Sequence, residues 1–321
     1  MAAFSDKSFD FKGYQANRPR YPDLLYETVL QFHKGDRETV LDLGTGPGLS
    51  LFPFAYQFKH LIGSDPSEGM IGQAEQAWQA WKEDQHDKNK IQAKDAKFIQ
   101  GSAENLEGIA DESIDLITAA QAAHWFDPNK VWPEVYRVLK PNGSVAFWGY
   151  GTNYLPRHPS LAGAMRKFMS STDEDMGRYW PPGRELVEDL LNGFPFPSNS
   201  SCMTKWDIDS ATRIQHTLSS PGIADLAWTQ GKAPEEKFRM ELVRSFDDIN
   251  GYFRTSSALS RYYKAHPEAK GQKPDMIDKH VEKLREAVLQ ERKGGAQADG
   301  LDDDHVRVAW PLGVMMIRKK T

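Results

Sequence analysis

Three groups of residues in this chain have the types and spacing to do chemistry. The sharpest is Val40-Leu41-Asp42-Leu43-Gly44-Thr45-Gly46-Pro47-Gly48, an apolar stretch that runs into a glycine-dense turn. Glycine allows a positive φ and lets a ligand lie against bare backbone. A helix expected from about Leu49 would present its first amides to an electron-rich group. The second is Asp65, which closes Leu61-Ile62-Gly63-Ser64-Asp65 and follows Gly46 by 19 residues (65 − 46). A carboxylate at that distance accepts both hydroxyls of a ribose, or else caps the helix that begins near Ser67. The dinucleotide pattern G-x-G-x-x-G would place its third small residue at Leu49. Here the glycine falls one place early, at Gly48, so the loop is G-x-G-x-G.

The third group is cationic and aromatic: Arg18, His124-Trp125-Phe126, Tyr179-Trp180, Arg184 and Arg254. An arginine fork matches a carboxylate in two hydrogen bonds, and the aromatic neighbours would keep water out. His124 would donate a hydrogen bond to a carboxylate, or act as a base toward a hydroxyl. Trp125 is of the type that packs against a cation. Structural roles compete with each of these. Arg18 can bond loop carbonyls, Arg184 can pair with Glu185 or Glu188, and Trp125 can be core.

The elements that must position these residues read as follows. Five short apolar runs, Val40–Leu43, His60–Gly63, Lys97–Ile99, Ile114–Ala119 and Ser144–Trp148, are bounded by turn or charged residues. Between them, Met70, Ala74, Ala77/Trp78 and Trp81 form one helical stripe, with Ser67 as its cap. Trp132, Val135, Tyr136 and Leu139 form another, stopped by Pro141-Asn142-Gly143. Apolar strands alternating with helices predict βαβ units in a parallel sheet covered on both faces. After Tyr150 the alternation ends. A strand is expected over Cys202–Ile208, then helical sequence to about 292, then a Gly/Asp-rich loop over 293–304. Val306, Val308 and Trp310 alternate with polar or small residues and predict a closing strand.

These segments resemble the class I S-adenosylmethionine-dependent methyltransferases. The resemblance is carried by VLDLGTGPG (40–48), GSDPS (63–67) with Met70, FIQGSAENL (98–106), IDLITAAQAAHWFD (114–127) and LKPNGSVAFWG (139–149). It implies an α/β Rossmann-like fold: a seven-stranded, mainly parallel sheet with an antiparallel last strand, and a mostly helical insertion as substrate cap. It implies S-adenosyl-L-methionine as cofactor. Asp42 then lies beneath the methionine end, Gly44, Thr45, Gly46 and Gly48 wrap the methionine, and Asp65, Pro66 and Met70 line the ribose side. Ser102, Ala103 and Glu104 flank the adenine, and Gln121 completes the set. Many members carry an Asp before that alanine, where this chain has Ser102, so the adenine falls to the Ala103 amide with a water or to Glu104. A narrower resemblance is to the fungal trans-aconitate methyltransferase-like branch. It rests on Tyr14-x(3)-Arg18-Pro19-x-Tyr21-Pro22, Ala123-His124-Trp125-Phe126-Asp127, Tyr179-Trp180-x-x-Gly183-Arg184 and Tyr252-Phe253-Arg254-Thr255-Ser256-Ser257. In the last segment Ser256 stands where that branch has an aromatic. This likeness implies methyl transfer to an oxygen of a small polycarboxylate. Tyr14 and Arg18 would close over the cofactor, with Tyr21 beside them. His124, Trp125, Tyr150, Tyr179, Trp180, Arg184 and Arg254 would hold the substrate.

Bulk properties narrow the classes. A length of 321 residues suits one large domain with an insertion, divided as 1–38 lid, 39–150 cofactor-binding core, 151–300 cap with a returning strand near 201–208, and 301–321 closing strand. A net charge of −5 argues against a phosphate-backbone reader. The single cysteine, Cys202, forms no intramolecular disulfide, and no Cys/His cluster has metal-ligand spacing. No apolar run reaches the roughly 20 residues of a membrane span. The expectation is a cytoplasmic enzyme without metal, nucleic acid or membrane, acting on an anionic small molecule, with its oligomeric state open. The alternatives are O- or N-methylation of another small metabolite with His124 as base, and a non-catalytic regulatory protein that binds the same cofactor.

Overall fold

The structure, a computed structural model, describes residues 17–85, 90–170, 176–197, 206–216, 240–294 and 300–321. Strands β1 (Thr39–Leu43), β2 (His60–Asp65), β3 (Asp95–Gln100), β4 (Ile114–Ala120) and β5 (Leu139–Tyr150) run parallel. β1 and β4 are buried on both faces, which is why they appear in the sequence as uninterrupted apolar runs. The helix Glu68–Asp84 starts where Ser67 Oγ accepts the Met70 amide at 3.4 Å, and it buries Met70, Ile71, Ala74, Ala77 and Trp78. The helix Pro128–Val138 is capped by Asp127 and buries Val131, Trp132, Val135 and Val138. Pro128 in its first turn gives up an amide that would have had no partner.

Between β1 and β2 the sequence predicts a helix from about Leu49, and the structure has only a 3-10 turn, Phe52–Tyr56. Leu51, Phe52, Phe54 and Phe58 are all buried. Leu51, Phe54 and Phe58 keep helical spacing on the buried side, and Pro53 sits in the first turn, where its missing amide has no partner to lose.

The whole sheet has the order β3-β2-β1-β4-β5-β9-β6. β6 (Trp206–His216) and β9 (Leu312–Lys319) complete it, β9 lying antiparallel between β5 and β6 in registers such as Phe147↔Met315 and Ile214↔Val314. The alternating run at Val306, Val308 and Trp310 does not enter this sheet. As β8 (His305–Trp310) it pairs with β7 (Met240–Ser245) in a separate two-stranded sheet, and Pro311 separates it from β9. The expected strand over Cys202–Ile208 overlaps β6 from Trp206 onward, and residues 202–205 lie outside the described residues. So do residues 295–299 of the Gly/Asp-rich loop.

Helices Ala162–Ser170, Arg184–Glu188, Phe246–Arg254, Ser257–Ala265 and Met276–Lys293 form the cap with the β7–β8 pair. Leu25, Val29, Phe54 and Trp148 on one side of the sheet share a core with Phe253, Leu284 and Trp310 of this cap. Trp132, Phe147, Phe194 and Trp206 fill the other side. Full burial of one such aromatic stabilises by roughly 1.5–3 kcal/mol, so the cap is held by ordinary core packing. No described helix is long and apolar enough to cross a membrane.

Candidate active site

The carboxyl ends of β1, β2 and β4 open onto a cavity of ≈ 740 Å³, at the crevice where ligands of doubly wound sheets bind. Gly44, Thr45 and Gly46 form its floor, Asp65, Pro66 and Met70 one wall, and Gln121, His124, Trp125 and Tyr150 the other. Arg18 and Tyr21 close it from the N-terminal side. Gly44 and Gly46 adopt φ 64° and 54°, and a side-chain carbon at Gly46 would meet only Met70 Sδ, 4.0 Å away. A residue larger than glycine at that position would project into the cavity.

Asp65 is both cap and site. Its Oδ2 accepts the Gly46 amide at 3.0 Å and its Oδ1 accepts the Ser67 amide at 2.8 Å, so one carboxylate ties the glycine loop to the next helix. Burial pushes its carboxyl up, and the two amide bonds oppose the shift. Each oxygen keeps a lone pair for a ribose hydroxyl. Gln121, in the left-handed region at φ 54°, clamps Tyr150 through two bonds of 2.8 Å to its backbone. That clamp fixes the end of β4 against the end of β5.

A second, smaller pocket of ≈ 70 Å³ lies deeper under the cap and shares Arg18, Gln121, His124, Trp125 and Tyr150 with the first. Arg184, Trp180, Met169, Thr152, Tyr252, Ser256 and Ser257 complete its walls. Arg18 donates to Tyr150 Oη at 2.8 Å and to the Thr255 carbonyl at 3.2 Å, bridging the core and the cap. Arg184 stacks on Trp180, 4.1 Å from the ring centroid, donates to Thr152 Oγ1 at 2.6 Å and pairs with Glu188. Gly183 brings the cap onto His124: at φ 94°, a methyl group there would stand 2.2 Å from the His124 carbonyl oxygen. Burial first, then the Arg184 and Arg18 charges, push His124 down to about 3, so the imidazole is neutral at physiological pH.

Other residues expected at the site line neither of these two cavities. Asp42 is fully buried beneath the loop, accepting Thr118 Oγ1 at 2.7 Å and Ser50 Oγ at 3.0 Å. Gly48 makes room for Phe52, whose ring would lie 2.6 Å from a side-chain carbon there. Ser102 lines a separate cavity of ≈ 310 Å³, Ala103 is buried, and Glu104 accepts the Asp127 amide at 3.1 Å. Arg254 corrects the sequence reading. It reaches neither cavity, because Asp275 at 2.7 Å, Asp278 at 2.5 Å and Asn250 at 2.6 Å hold its guanidinium. Tyr179 is likewise absent from both walls, its hydroxyl bonded to His266 Nε2 at 2.7 Å. Tyr14 lies outside the described residues.

Sequence reasoning missed Thr152, Met169, Tyr252, Ser257 and the exposed Arg261 at the rim of the larger cavity. Tyr252 and Ser257 stand in the segment 252–257 that carries Arg254, and Thr152, Met169 and Arg261 belong to no motif whose spacing announces a ligand. Among the described residues no cluster of His, Cys, Asp and Glu is arranged to hold a metal ion.

The glycine floor, the Asp65 lone pairs and a cavity within the usual ~300–1,000 Å³ range of cofactor sites fit a nucleoside bearing an amino-acid tail. Residues 41–147 match the family described as a methyltransferase domain. The matched domain and the relatives support an S-adenosylmethionine-dependent methyltransferase, the sheet has the Rossmann-like class I order, and the cofactor is S-adenosyl-L-methionine. Over 284 residues the chain is 27% identical to a protein of Saccharomyces cerevisiae named Probable S-adenosylmethionine-dependent methyltransferase CRG1, covering 88% of this chain and 90% of that one. A candidate methyltransferase of Dictyostelium discoideum is 31% identical over 178 residues, 56% of this chain and 60% of its own. The solved structure of a candidate type II methyltransferase from Anaeromyxobacter dehalogenans has the same fold, with a TM-score of 0.60 at 23% identity over 94% of this chain and 97% of that one.

Proposed function

We propose that this methyltransferase acts on a carboxylate oxygen of a small anionic molecule, with a polycarboxylic acid of the trans-aconitate kind as the best fit. One observation carries the reading: two arginines, Arg18 and Arg184, and a histidine held neutral face a pocket that shares its wall with the cofactor cavity. When bound, the cofactor supplies a methyl group on a cationic sulfur. A carboxylate acceptor has a reference pKa near 4 and is already ionised at pH 7, so it needs orientation rather than a base. Alignment alone contributes ~7–11 kcal/mol in favourable cases. Nη1 of Arg184 would hold the anion, with the Arg18 charge beside it, His124 would donate one hydrogen bond, and Trp125 and Trp180 would exclude water. A histidine pushed down to about 3 is a poor base toward a hydroxyl, which weighs against the phenol and alcohol acceptors.

The test is methyl transfer from labelled cofactor to trans-aconitate, citrate, a simple phenol and a primary amine. We expect base-labile ester formation from the polycarboxylate only, with kcat/KM level between about pH 6 and 9. Transfer confined to the phenol or the amine, lost in His124→Asn, would replace this reading with base-assisted O- or N-methylation.

A further inference from the structure

We propose that the inner pocket is a subsite for a second, non-reacting carboxylate, built from Arg184 and the first turn of the helix Ser257–Ala265. The proposal deepens the carboxylate reading above and rests on it for the chemistry at the shared wall.

Arg184 has little freedom. Trp180 covers its face, Thr152 and Glu188 occupy Nη2, and Nε is sealed in protein. Nη1 is the part of the fork left to the pocket that Arg184 lines. Across the pocket, Ser256 caps the helix by accepting the Leu259 amide at 3.3 Å. The first amides of a helix have no intrahelical partner, so that of Ser257 remains at the pocket wall, with the positive end of the helix dipole behind it. Ser257 is 4% exposed and lines the pocket, and its hydroxyl bonds no other described residue. On the wall of a pocket, such a hydroxyl is met by water or by a ligand. The group that satisfies a guanidinium, a serine hydroxyl and a helix amide together is an anion.

Size narrows the ligand. A water needs about 10–15 Å³ by this measure, so ≈ 70 Å³ holds on the order of five waters, enough for a carboxylate and a short stem. Met169 and Val187 supply apolar walls for that stem. The substrate class is therefore a short di- or tricarboxylate. One carboxylate sits at the Arg18–His124 wall facing the cofactor cavity, the other in the inner pocket.

The probe is acetate, titrated into the complex with S-adenosylhomocysteine at constant ionic strength and read by line broadening of the ¹³C-labelled carboxyl. Wild type should show saturable binding. Arg184→Lys, which keeps the charge and loses the fork, should weaken it about tenfold, and Ser257→Ala about fivefold. Unchanged S-adenosylhomocysteine affinity in both variants would show that they are folded. No saturable acetate binding by wild type, or equal affinity in all three proteins, would overturn the subsite. Acetate binding that follows this pattern, without methylation of any polycarboxylate, would support the subsite and remove the carboxylate-acceptor reading.

Discussion

Gly183→Ala tests whether the cap docks on the core as described. Gly183 sits at φ 94°, and the added methyl would stand 2.2 Å from the carbonyl oxygen of His124. Both partners are backbone-fixed, so no rotamer change relieves the overlap. Gly108 is the internal control, with φ 86° and nothing within 4 Å of an added carbon. An L-residue in the left-handed region costs roughly 1–2 kcal/mol, which is the expected loss for Gly108→Ala. Overpacking adds typically about 1–3 kcal/mol, so Gly183→Ala should lose about 2–5 kcal/mol in urea unfolding. The second consequence is local. His124 forms part of both cavity walls, so displacing its carbonyl disturbs the neck between them. We expect KM for the methyl acceptor to rise at least tenfold in Gly183→Ala and to stay unchanged in Gly108→Ala. If the two variants lose equal stability within about 0.5 kcal/mol and share wild-type KM, the close contact between Gly183 and His124 does not exist in solution.

Asp65→Asn keeps one acceptor and turns the other into a donor that faces the Gly46 or Ser67 amide. Loss of hydrogen bonds to a charged group, about 1.5–3 kcal/mol each, should weaken S-adenosylmethionine binding by one to two orders of magnitude in calorimetry, and a change under threefold would show that the ribose lies elsewhere. Burial holds His124 at about 3 and His280 at about 4, below the ordinary 6.5. Above pH 6.5 neither state takes up a proton. As pH falls below it only the unfolded chain does, so each imidazole costs roughly 2 kcal/mol of stability by pH 5. His124→Asn should therefore gain on wild type by about that amount between pH 8 and pH 5, and a pH-independent difference in unfolding free energy would contradict the depressed value. Arg254→Ala should destabilise by about 1–3 kcal/mol, because it strands Asp275 and Asp278. It should leave KM within twofold, and a selective rise in KM would restore it to the substrate pocket.

The parallel strands were legible because burial on both faces writes itself as an apolar run. Val40–Leu43 and Ile114–Ala119 differ from β1 and β4 by one residue. β3 shows only a three-residue core in the sequence, since Asp95 and Gln100 are exposed and belong to it through pairing with His60 and Asp65. The C-terminal strands show the limit of periodicity. Alternation at Val306, Val308 and Trp310 marks a half-buried strand and does not name its partner, and that partner, β7, lies sixty to seventy residues earlier in its paired positions. The true seventh strand is the following run Val314-Met315-Met316-Ile317. It is buried on both faces, so its pattern matches a parallel strand although it runs antiparallel.

The site divides along the same line. The glycine loop and Asp65 were readable because the geometry they need is local: a positive-φ turn, a strand end and a helix cap within 30 residues of chain. Arg184 and Arg254 looked alike in the sequence, each beside aromatic residues. What separates them is the charge already around each guanidinium. Arg184 meets one carboxylate, four residues on, with a neutral hydroxyl and a tryptophan face. Arg254 meets two carboxylates, 21 and 24 residues on, which also form the capping box of the helix Met276–Lys293. No motif around residue 254 records those distant acids. Two carboxylates outweigh the single positive charge of Arg254 and fill its donors, so Arg254 serves the cap, whereas Arg184, balanced by Glu188, stands on the pocket wall.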